Sequence, residues 1–281
     1  MELIKAAKKG EALVAEMDSF LGDATGFRLW WLGQSGYLLQ YKGKRVLIDP
    51  YLSDSLTRKY AATDKPHTRM SELVIDPQLL KNISIISSSH NHTDHLDAET
   101  IIPVLENNPG ITFIIPEANR AFIAERVKCK TGFPVGLNDG NAVTMDDFTF
   151  HGIPAKHNDI ERDEKGQCKY MGYVISFGKY NIYHSGDTLW FDELPDLLKP
   201  FHVDLALLPV NGNKPERKVA GNLDCTEAAA LGKAIAAGCV IPCHYDMFEF
   251  NTADVNEFID EAEKINQPYK VLIGGQRFDM H

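Results

Sequence analysis

Short apolar runs at strand-like spacing organise the first part of the chain. Residues 27–32 and 37–41 form two such runs, and the four residues between them, Gly-Gln-Ser-Gly, predict a turn. Lys-Gly-Lys at 42–44 predicts a tight hairpin turn before a third run at residues 45–48. We therefore expect three antiparallel strands, each following directly on the one before.

Farther along, apolar runs alternate with amphipathic stretches of helical spacing. A further amphipathic helix is predicted near the start, because apolar residues from Leu3 to Leu21 recur at helical spacing between charged ones. Both halves of the chain run from meandering strands into strand–helix alternation, which predicts a mixed α/β fold with two similar sheets packed face to face. The other predicted helices lie at about 97–106, 118–127, 191–198, 226–237 and 253–264, and the later strands at about 83–86, 111–115, 148–153, 173–177, 203–208, 239–243 and 270–273.

No long linker, low-complexity tract or short repeat interrupts this pattern, so we expect a single domain over residues 1–281. The segment from residue 51 to about residue 67 breaks the pattern, because it is polar and of mixed charge. It follows a predicted strand end, and loops of this length are often functional. We expect it to overhang the functional site, with a plain surface excursion as the alternative.

Charge and composition exclude some classes of function. With 39 acidic and 29 basic residues the formal net charge is −10, which disfavours nucleic acid as a partner. No stretch is long and apolar enough to span a membrane, and the amphipathic start of the chain does not resemble a signal peptide. The five cysteines form no Cys-x-x-Cys pair, which favours a reducing compartment. We expect a cytoplasmic protein that binds a small molecule, and homo-oligomerisation stays open.

The densest group of reactive side chains follows the predicted strand at 83–86. Within six positions the chain carries His90, His92, Asp94 and His95. In extended backbone, residues two apart point the same way, so His90 and His92 can bind one metal ion together. Because the chain then turns toward a helix, Asp94 and His95 face another direction and favour a second ion. A solvated polar loop explains three histidines around an aspartate poorly.

Further ligands must come from other parts of the chain. Apolar runs lead into His157, Asp187 and His244, and an earlier run leads into Asp49. Strand ends that meet at one edge of a sheet make a rigid site from distant parts of a sequence. We therefore expect these four side chains to lie near the histidine-rich loop.

At this point the sequence resembles a known superfamily. His-x-His-x-Asp-His at 90–95, followed by isolated His157, Asp187 and His244, resembles the metallo-β-lactamase-fold hydrolases. The resemblance implies a four-layer αββα sandwich. Phrases that more narrowly resemble the L-ascorbate-6-phosphate lactonase-like branch are Trp-Trp-Leu-Gly-Gln-Ser-Gly at 30–36, Ile-Asp-Pro-Tyr at 48–51, Tyr-His-Ser-Gly-Asp at 183–187 and Val-Ile-Pro-Cys-His-Tyr-Asp at 240–246.

The resemblance also implies a dinuclear metal centre. A carboxylate can span two ions about 3.5–4 Å apart, whereas a neutral imidazole binds one. Zinc or manganese is expected, with iron as a third option, because mixed histidine and carboxylate sites accept all three. The implied ligands are His90, His92 and His157 for the first ion, Asp94, His95 and His244 for the second, and Asp187 for both.

The implied activity is hydrolysis of an ester or lactone by a hydroxide that bridges the two ions. An L-ascorbate-6-phosphate-like sugar-acid lactone, which is small and anionic, is the candidate substrate. Asp187 and Asp94 are the catalytic candidates, Asp94 as a proton acceptor. Two alternatives stay open. One is a phosphodiesterase similar to N-acylphosphatidylethanolamine phospholipase D, and the other is a non-enzymatic binding module stabilised by metal.

Several other residues have an open role. Asp49 is a candidate hydrogen-bond acceptor for a ligand imidazole, or else a turn former. His184 could face the site or the core, and Asp246 could orient His244 or turn the chain. Asn211, Lys214, Arg217 and Arg277 could bind an anionic group or lie in solvated loops, and His151 and Cys243 are expected to be interior residues.

Overall fold

Two stacked β-sheets form the centre of the protein in the computed structural model, which describes residues 2–281. The strands are β1 (Phe27–Gly33), β2 (Gly36–Tyr41), β3 (Lys44–Ile48), β4 (Ile83–Ser87), β5 (Thr112–Pro116), β6 (Val135–Leu137), β7 (Ala142–Met145), β8 (Phe148–Pro154), β9 (Met171–Phe177), β10 (Tyr180–His184), β11 (Leu205–Pro209), β12 (Cys239–Cys243) and β13 (Arg277–Met280). The first sheet has the order β13-β1-β2-β3-β4-β5-β6, and the second has the order β12-β11-β10-β9-β8-β7.

The helices connect these strands, and most of them cover the outer faces of the sheets. They are α1 (Gly10–Ser19), α2 (Ser55–Tyr60), α3 (Ala98–Asn107), α4 (Arg120–Arg126), α5 (Leu194–Leu198), α6 (Cys225–Ala234) and α7 (Val255–Lys264). Short 3₁₀ turns lie at Pro77–Leu79, Glu117–Asn119, Lys199–Phe201 and Pro215–Arg217. Within residues 2–281, every helix is too short or too polar to cross a lipid bilayer.

The two sheets repeat one plan. In the first sheet β1, β2 and β3 are antiparallel, and β3 to β6 are parallel. In the second sheet β7 to β10 are antiparallel, and β10 to β12 are parallel. Parallel neighbours need crossover connections, which the helices supply. This arrangement confirms the predicted passage from meandering strands to strand–helix alternation in each half.

Apolar side chains on both faces of the sheets build a four-layer structure. Leu29 and Ile85 of the first sheet share a core with Phe150 and Ile175 of the second, which places the two sheets face to face. Side chains on the opposite face of the first sheet, such as Trp30, pack with α1, α3 and α4. Helices α6 and α7 cover the other side of the second sheet. The αββα sandwich is therefore confirmed.

The prediction was wrong about the start of the first helix. The helix begins at Gly10 rather than near Leu3, because Lys9 is extended and residues 2–8 form no helix. Ile4 forms a β-bridge with Ser71, and its N–H donates to the Met70 carbonyl oxygen at 2.8 Å. These hydrogen bonds outweigh the helical spacing of the apolar residues in this short segment.

The prediction was also wrong about the last strand. Residues 270–273 form no strand, and the neighbouring Tyr269 makes a single bridge with Val240. The chain then turns at Gly275, whose φ is +75°, and β13 pairs with β1. A side chain at position 275 would lie 1.9 Å from the Lys8 carbonyl oxygen. The turn therefore requires glycine, and it sends the chain back along the edge of the first sheet.

Candidate metal centre

Strand β4 ends at Ser87 and leads into the histidine-rich loop. The Ser88 hydroxyl lies 2.8 Å from the His90 carbonyl oxygen and 2.9 Å from the His95 carbonyl oxygen, which ties the two ends of the loop together. From the second sheet, the Tyr173 hydroxyl donates to the Ser88 carbonyl oxygen at 2.9 Å. The side chains of this loop are therefore held in place by buried hydrogen bonds.

His90, His92 and His157 converge in what we call the all-histidine cluster. Their potential ligand atoms all lie within 4.8 Å of one another, and Nε2 of His157 is 3.2 Å from Nδ1 of His92. Nδ1 of His157 lies 2.9 Å from the Gly221 carbonyl oxygen, to which it donates as the N–H. That hydrogen bond leaves the Nε2 lone pair of His157 directed to the cluster.

Asp94, His95, Asp187 and His244 form a second group, which we call the mixed cluster. Nε2 of His95 lies 3.2 Å from Oδ1 of Asp187 and 3.7 Å from Oδ2 of Asp94. Nε2 of His244 lies 3.4 Å from Oδ2 of Asp187 and 3.5 Å from Oδ2 of Asp94. Two imidazoles thus share two carboxylates in a nearly fully buried space.

The Asp187 carboxylate lies between the two clusters. Its Oδ2 is 3.4 Å from Nε2 of His244 in the mixed cluster and 3.7 Å from Nε2 of His157 in the all-histidine cluster. The position corresponds to the bridging position that the resemblance implies for Asp187. All seven side chains that the sequence singles out as metal ligands thus meet at one place.

Strand ends deliver the distant members of both clusters, and also Asp49, as the sequence predicts. Asp49 and His244 directly follow β3 and β12, whereas His157 and Asp187 each follow their strand by three residues. Asp49 and His244 have positive φ angles of 40° and 64°. Such a conformation costs roughly 1–2 kcal/mol for a residue other than glycine, so it persists only where the surroundings fix it. The His244 N–H, for example, donates to the Gln34 carbonyl oxygen at 3.1 Å.

Gly186 explains how Asp187 comes so close to the histidine-rich loop. Its φ is +57°, and a Cβ at this position would lie 2.7 Å from the Met171 carbonyl oxygen and 2.7 Å from the Cβ atom of Ser89. Any larger residue would push the two segments apart. Glycine therefore sets the distance between Asp187 and the loop.

Asp49 occupies the supporting position that the sequence proposes for it. It is fully buried, and its Oδ2 accepts a hydrogen bond from Nδ1 of His95 at 2.7 Å. Its Oδ1 accepts from the Ser89 N–H at 2.8 Å, and the Ser89 hydroxyl also donates to the carboxylate. The first of these bonds fixes the tautomer of His95 and directs its Nε2 into the mixed cluster.

Burial governs the protonation of the all-histidine cluster. It lowers the pKa of His90 well below the usual range and also lowers the pKa of His92. It lowers the pKa of His157 to about 4, although the Asp187 carboxylate acts in the opposite direction. These three imidazoles are therefore neutral near pH 7, which is the form that binds metal.

Carboxylates govern the protonation of the mixed cluster. Burial alone would lower the pKa of His95 and His244, but Asp187 and Asp94 outweigh it. They raise the pKa of His95 well above its usual range and that of His244 to about 9. Burial would likewise raise the pKa of Asp94 and Asp187, yet the neighbouring histidines lower both. These shifts favour protonated imidazoles beside charged carboxylates when no metal is bound.

Buried ligand atoms without partners indicate that these residues fit metal ions. In the part of the chain that the structure describes, Nε2 of His90, Nε2 of His95 and Oδ1 of Asp187 are buried and make no hydrogen bond of good geometry, although the last two atoms lie 3.2 Å apart. A buried polar atom without a partner costs roughly 1–3 kcal/mol, so three in one site require an explanation. Divalent cations coordinated by imidazole and carboxylate would satisfy all three atoms.

A cavity of about 350 Å³ opens over both clusters. His92, Asp94, His157, Asp187 and His244 line its floor. The segment after β3 contributes Leu56, Lys59, Tyr60 and His67 to its walls, which confirms that this segment overhangs the site. The volume is at the lower end of the roughly 300–1,000 Å³ of small-molecule sites, so it suits a small substrate rather than a polymer.

Most of the other candidates lie away from both clusters. His184 is buried, and its Nε2 donates to the Ser35 carbonyl oxygen at 3.0 Å, so it supports the turn between β1 and β2. Arg217 donates to the Thr252 carbonyl oxygen and to the Asn251 side chain, and Arg277 pairs with acidic residues near β13. The remaining candidates outside both clusters and outside the cavity lining are Asn211, Lys214, Asp246, His151 and the buried thiol of Cys243.

Two residues at the site carry no role in the sequence reasoning. Nε2 of the fully buried Gln34 lies 2.9 Å from Oδ2 of Asp94 and 3.0 Å from Nε2 of His244. Arg126 of α4 lines the cavity. Gln34 belongs to the Gly-Gln-Ser-Gly turn, so its place between two predicted strands was a usable signal. Arg126 is one of several basic residues on amphipathic helices, and nothing in the sequence distinguishes it.

The amino-acid sequence is similar to that of known proteins over most of its length. A family model described as beta-lactamase superfamily domain matches residues 28–244. The chain is 26% identical over 257 residues to a UPF0173 metal-dependent hydrolase of Methanosarcina mazei, with 90% of this chain and 98% of that protein covered. A Methanospirillum hungatei protein of the same name is 28% identical over 246 residues, with 85% and 91% covered.

Solved structures share the fold. A metallo hydrolase from the archaeon Ignicoccus hospitalis superposes with a TM-score of 0.66 at 22% identity, covering 92% of this chain and all of that chain. An isothiocyanate hydrolase from Delia radicum gut bacteria superposes with a TM-score of 0.71 at 19% identity, covering 90% and 99%. At these identities the likeness concerns the fold.

Proposed function

We propose that this chain, which belongs to the beta-lactamase superfamily, is a metal-dependent hydrolase with a dinuclear centre. The observation that carries the proposal is the convergence of seven ligand-type side chains in two adjoining clusters. Three of their ligand atoms are buried and make no hydrogen bond of good geometry, which coordination to metal ions would remedy. The M. mazei and M. hungatei relatives, both named metal-dependent hydrolases, support the same activity class.

Each cluster would hold one divalent ion. His90, His92 and His157 would bind the first, and Asp94, His95 and His244 would bind the second. Asp187 would contribute to both, since its Oδ2 lies within 3.7 Å of a histidine of each cluster. The donor set of imidazole and carboxylate suits zinc or manganese, and it also accepts iron.

Bound divalent ions would supply a water of lowered pKa and would polarise the bond to be cleaved. The chain itself would orient the substrate in the small cavity and manage the proton. We assign proton transfer to Asp94, which lines the cavity, because its side chain is 17% exposed whereas that of Asp187 is 5% exposed. Asp187 would hold the two halves of the centre together.

Ester or lactone hydrolysis is the reaction class we favour. Its substrates are small, and the cavity of about 350 Å³ suits them. A sugar-acid lactone of the L-ascorbate-6-phosphate type belongs to this class. Phosphodiester hydrolysis is the second candidate, because two cations, Lys59 and Arg126, line the cavity and could bind a phosphate.

The test combines metal analysis with a substrate panel. Protein purified without chelator should contain up to two divalent ions per chain, and it should hydrolyse at least one ester or lactone. Bis-p-nitrophenyl phosphate, assayed beside a simple lactone, separates the two reaction classes. Asp187→Asn serves as the inactive control. A protein that binds two ions yet turns over no ester, lactone, thioester or phosphodiester would contradict the proposal.

A further inference from the structure

One side of the cavity is an aromatic wall, defined here as Tyr60, His67, Phe248 and Phe250. Tyr60 and His67 stack with ring centroids 4.3 Å apart and an angle of 21°. His67 also packs against Phe250 at 4.4 Å and against Phe248 at 5.1 Å. Aromatic faces bind other aromatic or apolar groups through a large contact area. The wall therefore offers a surface for an apolar part of the substrate.

The histidine in this wall acts as a neutral ring. Nδ1 of His67 lies 2.9 Å from the Lys65 carbonyl oxygen, to which it donates as the N–H. Burial lowers the pKa of His67, so the ring carries no charge near neutral pH. The wall as a whole is thus uncharged, and it is anchored on two segments, α2 with its following loop and residues 248–250.

Arg126, also on the cavity lining, is a cation without a carboxylate partner. Among residues 2–281, seven of the nine arginines lie within 4.0 Å of a carboxylate oxygen, and the exceptions are Arg126 and Arg217. Arg217 donates from both terminal nitrogens to neighbouring oxygens. Arg126 donates from Nη1 alone, to the carbonyl oxygens of Asn91 at 2.7 Å and Leu96 at 3.4 Å.

The surroundings of Arg126 leave Nε and Nη2 without a hydrogen-bond partner among residues 2–281. Two contacts hold the Arg126 side chain in place. Its guanidinium lies 4.5 Å from the ring centroid of Phe122, and its Nη1 donates to the Asn91 carbonyl oxygen in the histidine-rich loop. The acidic residues that line the cavity are Asp94 and Asp187, and both belong to the mixed cluster. Nε and Nη2 of Arg126 can therefore donate to an incoming carboxylate or phosphate, for which the planar guanidinium is well suited.

We propose that the substrate carries both an apolar group, preferably an aryl group, and an anionic group, bound by the aromatic wall and by Arg126 respectively. This inference rests on the proposed hydrolase function for the bond that is cleaved, and it narrows the substrate class of that site. A small ester or lactone with one aryl and one acidic substituent meets both requirements.

Three small probes separate the two contacts without any need for turnover. 3-Phenylpropanoate carries both groups, 3-phenylpropanamide carries the aryl group alone, and propanoate carries the anionic group alone. Their affinities for the zinc-loaded full chain would be measured by titration calorimetry or by chemical-shift titration at constant ionic strength. We expect 3-phenylpropanoate to bind roughly tenfold more tightly than the amide, as a charge-assisted hydrogen bond would give.

Variants then assign each contact to its residue. Arg126→Gln should reduce the preference for 3-phenylpropanoate over the amide to near unity, and Arg126→Lys should keep part of it. Phe250→Ala should weaken 3-phenylpropanoate and the amide by the same factor and leave propanoate unchanged. Arg58→Gln and Phe133→Ala are matched controls, because both side chains are exposed and lie outside the cavity lining.

The outcomes are distinct. If the preference for the anion survives Arg126→Gln, the anion binds elsewhere, for example to Lys59 or to the metal ions, and the inference is wrong. If propanoate binds as tightly as 3-phenylpropanoate, or if Phe250→Ala changes neither aryl probe, the aromatic wall does not bind the substrate. A failure of the proposed hydrolase function would appear separately, as a lack of turnover in a chain that still binds these probes.

Discussion

The two halves of the candidate metal centre, the all-histidine cluster and the mixed cluster, adjoin each other, yet they differ in charge. The all-histidine cluster consists of neutral imidazoles, because burial lowers the pKa of His90 and His157. In the mixed cluster, carboxylates raise the pKa of His95 and of His244, the latter to about 9. The first cluster can therefore accept a cation without releasing a proton, whereas the second must first release protons.

This difference shows how one buried site can prepare two unlike positions. Imidazoles alone are tolerated in a buried cluster because the neutral form predominates there. Buried carboxylates beside cationic partners stay charged. When no metal is bound, protons on the neighbouring imidazoles balance that charge. Asp187 lies between the halves and contributes charge to both, so changes at this residue should affect the whole centre. Changes elsewhere should affect one half.

Replacing Asp187 should have the largest effect. Asp187→Asn removes the carboxylate whose Oδ2 lies within 3.7 Å of histidines in both clusters. We expect turnover to fall by more than the roughly 100-fold that loss of a supporting partner costs, and metal content to fall in both halves. Elemental analysis and initial rates would check this. Asp196→Asn, an exposed surface change, is the control. Retention of two ions would show that Asp187 does not couple the halves.

A matched pair of ligand variants should separate the halves. His157→Ala removes one ligand of the all-histidine cluster, and His244→Ala removes one ligand of the mixed cluster. Each variant should retain one ion per chain, held by the cluster that is left intact, and each should lose most activity. Stoichiometry measured by elemental analysis, together with the visible spectrum of the cobalt-substituted protein, would distinguish the two. Identical spectra for both variants would argue against two independent clusters.

The halves should also respond differently to pH. A protonated imidazole must lose its proton before it can bind a cation, and the pKa of His244 is raised to about 9. Zinc affinity of the mixed cluster should therefore rise by about tenfold per pH unit for each displaced proton between pH 6 and 8. The all-histidine cluster should change little over that range, because the pKa of His157 is about 4. Competition with a chelating dye would measure the zinc affinity of the mixed cluster in the His157→Ala variant and that of the all-histidine cluster in the His244→Ala variant.

Asp49 tests whether support from outside a cluster acts on one half only. Its carboxylate accepts from Nδ1 of His95 at 2.7 Å and makes no contact with His157 or His92. Asp49→Asn should weaken zinc binding by the mixed cluster by roughly 10–100-fold and the all-histidine cluster much less, because it reaches His90 only through the Ser89 hydroxyl, 3.0 Å from Nδ1 of His90. The same dye competition would show it. Equal weakening of both clusters would instead indicate that Asp49 supports the whole histidine-rich loop.

The seven ligand-type residues could be predicted because their chemistry is local in sequence. His90, His92, Asp94 and His95 lie within six positions, and the other three follow apolar runs, which are strands whose ends meet at one edge. The antiparallel meander and the alternating strands and helices followed from hydrophobic periodicity. The start of α1 and the place of β13 did not, because distant backbone hydrogen bonds decide them.

The contacts around the seven ligand-type residues could not be predicted from the sequence pattern, for a similar reason. The aromatic wall combines residues from two distant segments, and Arg126 resembles other helix arginines until its missing carboxylate partner is seen in three dimensions. Gln34 belongs to a turn that was recognised, yet the direction of its side chain depends on its positive φ of 50°. Such roles arise from packing between elements, which periodicity does not encode.

Replacing Gln34 should give the smallest effect, and this effect should be confined to the mixed cluster. Its Nε2 donates to Oδ2 of Asp94 at 2.9 Å, so the amide orients a carboxylate of the mixed cluster alone. Gln34→Ala should lower zinc affinity of that cluster about fivefold, as loss of one hydrogen bond of about 1 kcal/mol would. Gln34→Glu should lower it less than Gln34→Ala at neutral pH, because the added carboxylate attracts the divalent ion although it no longer donates to Asp94.

Both Gln34 variants would be measured in the His157→Ala background, where the mixed cluster is the one left to bind metal. The same variants in the His244→Ala background should leave affinity unchanged, since Gln34 has no contact with His90, His92 or His157. An equal loss in both backgrounds would mean that Gln34 acts through the fold of the turn at residues 33–36. Both clusters would then depend on the structure of this turn, although they differ in charge.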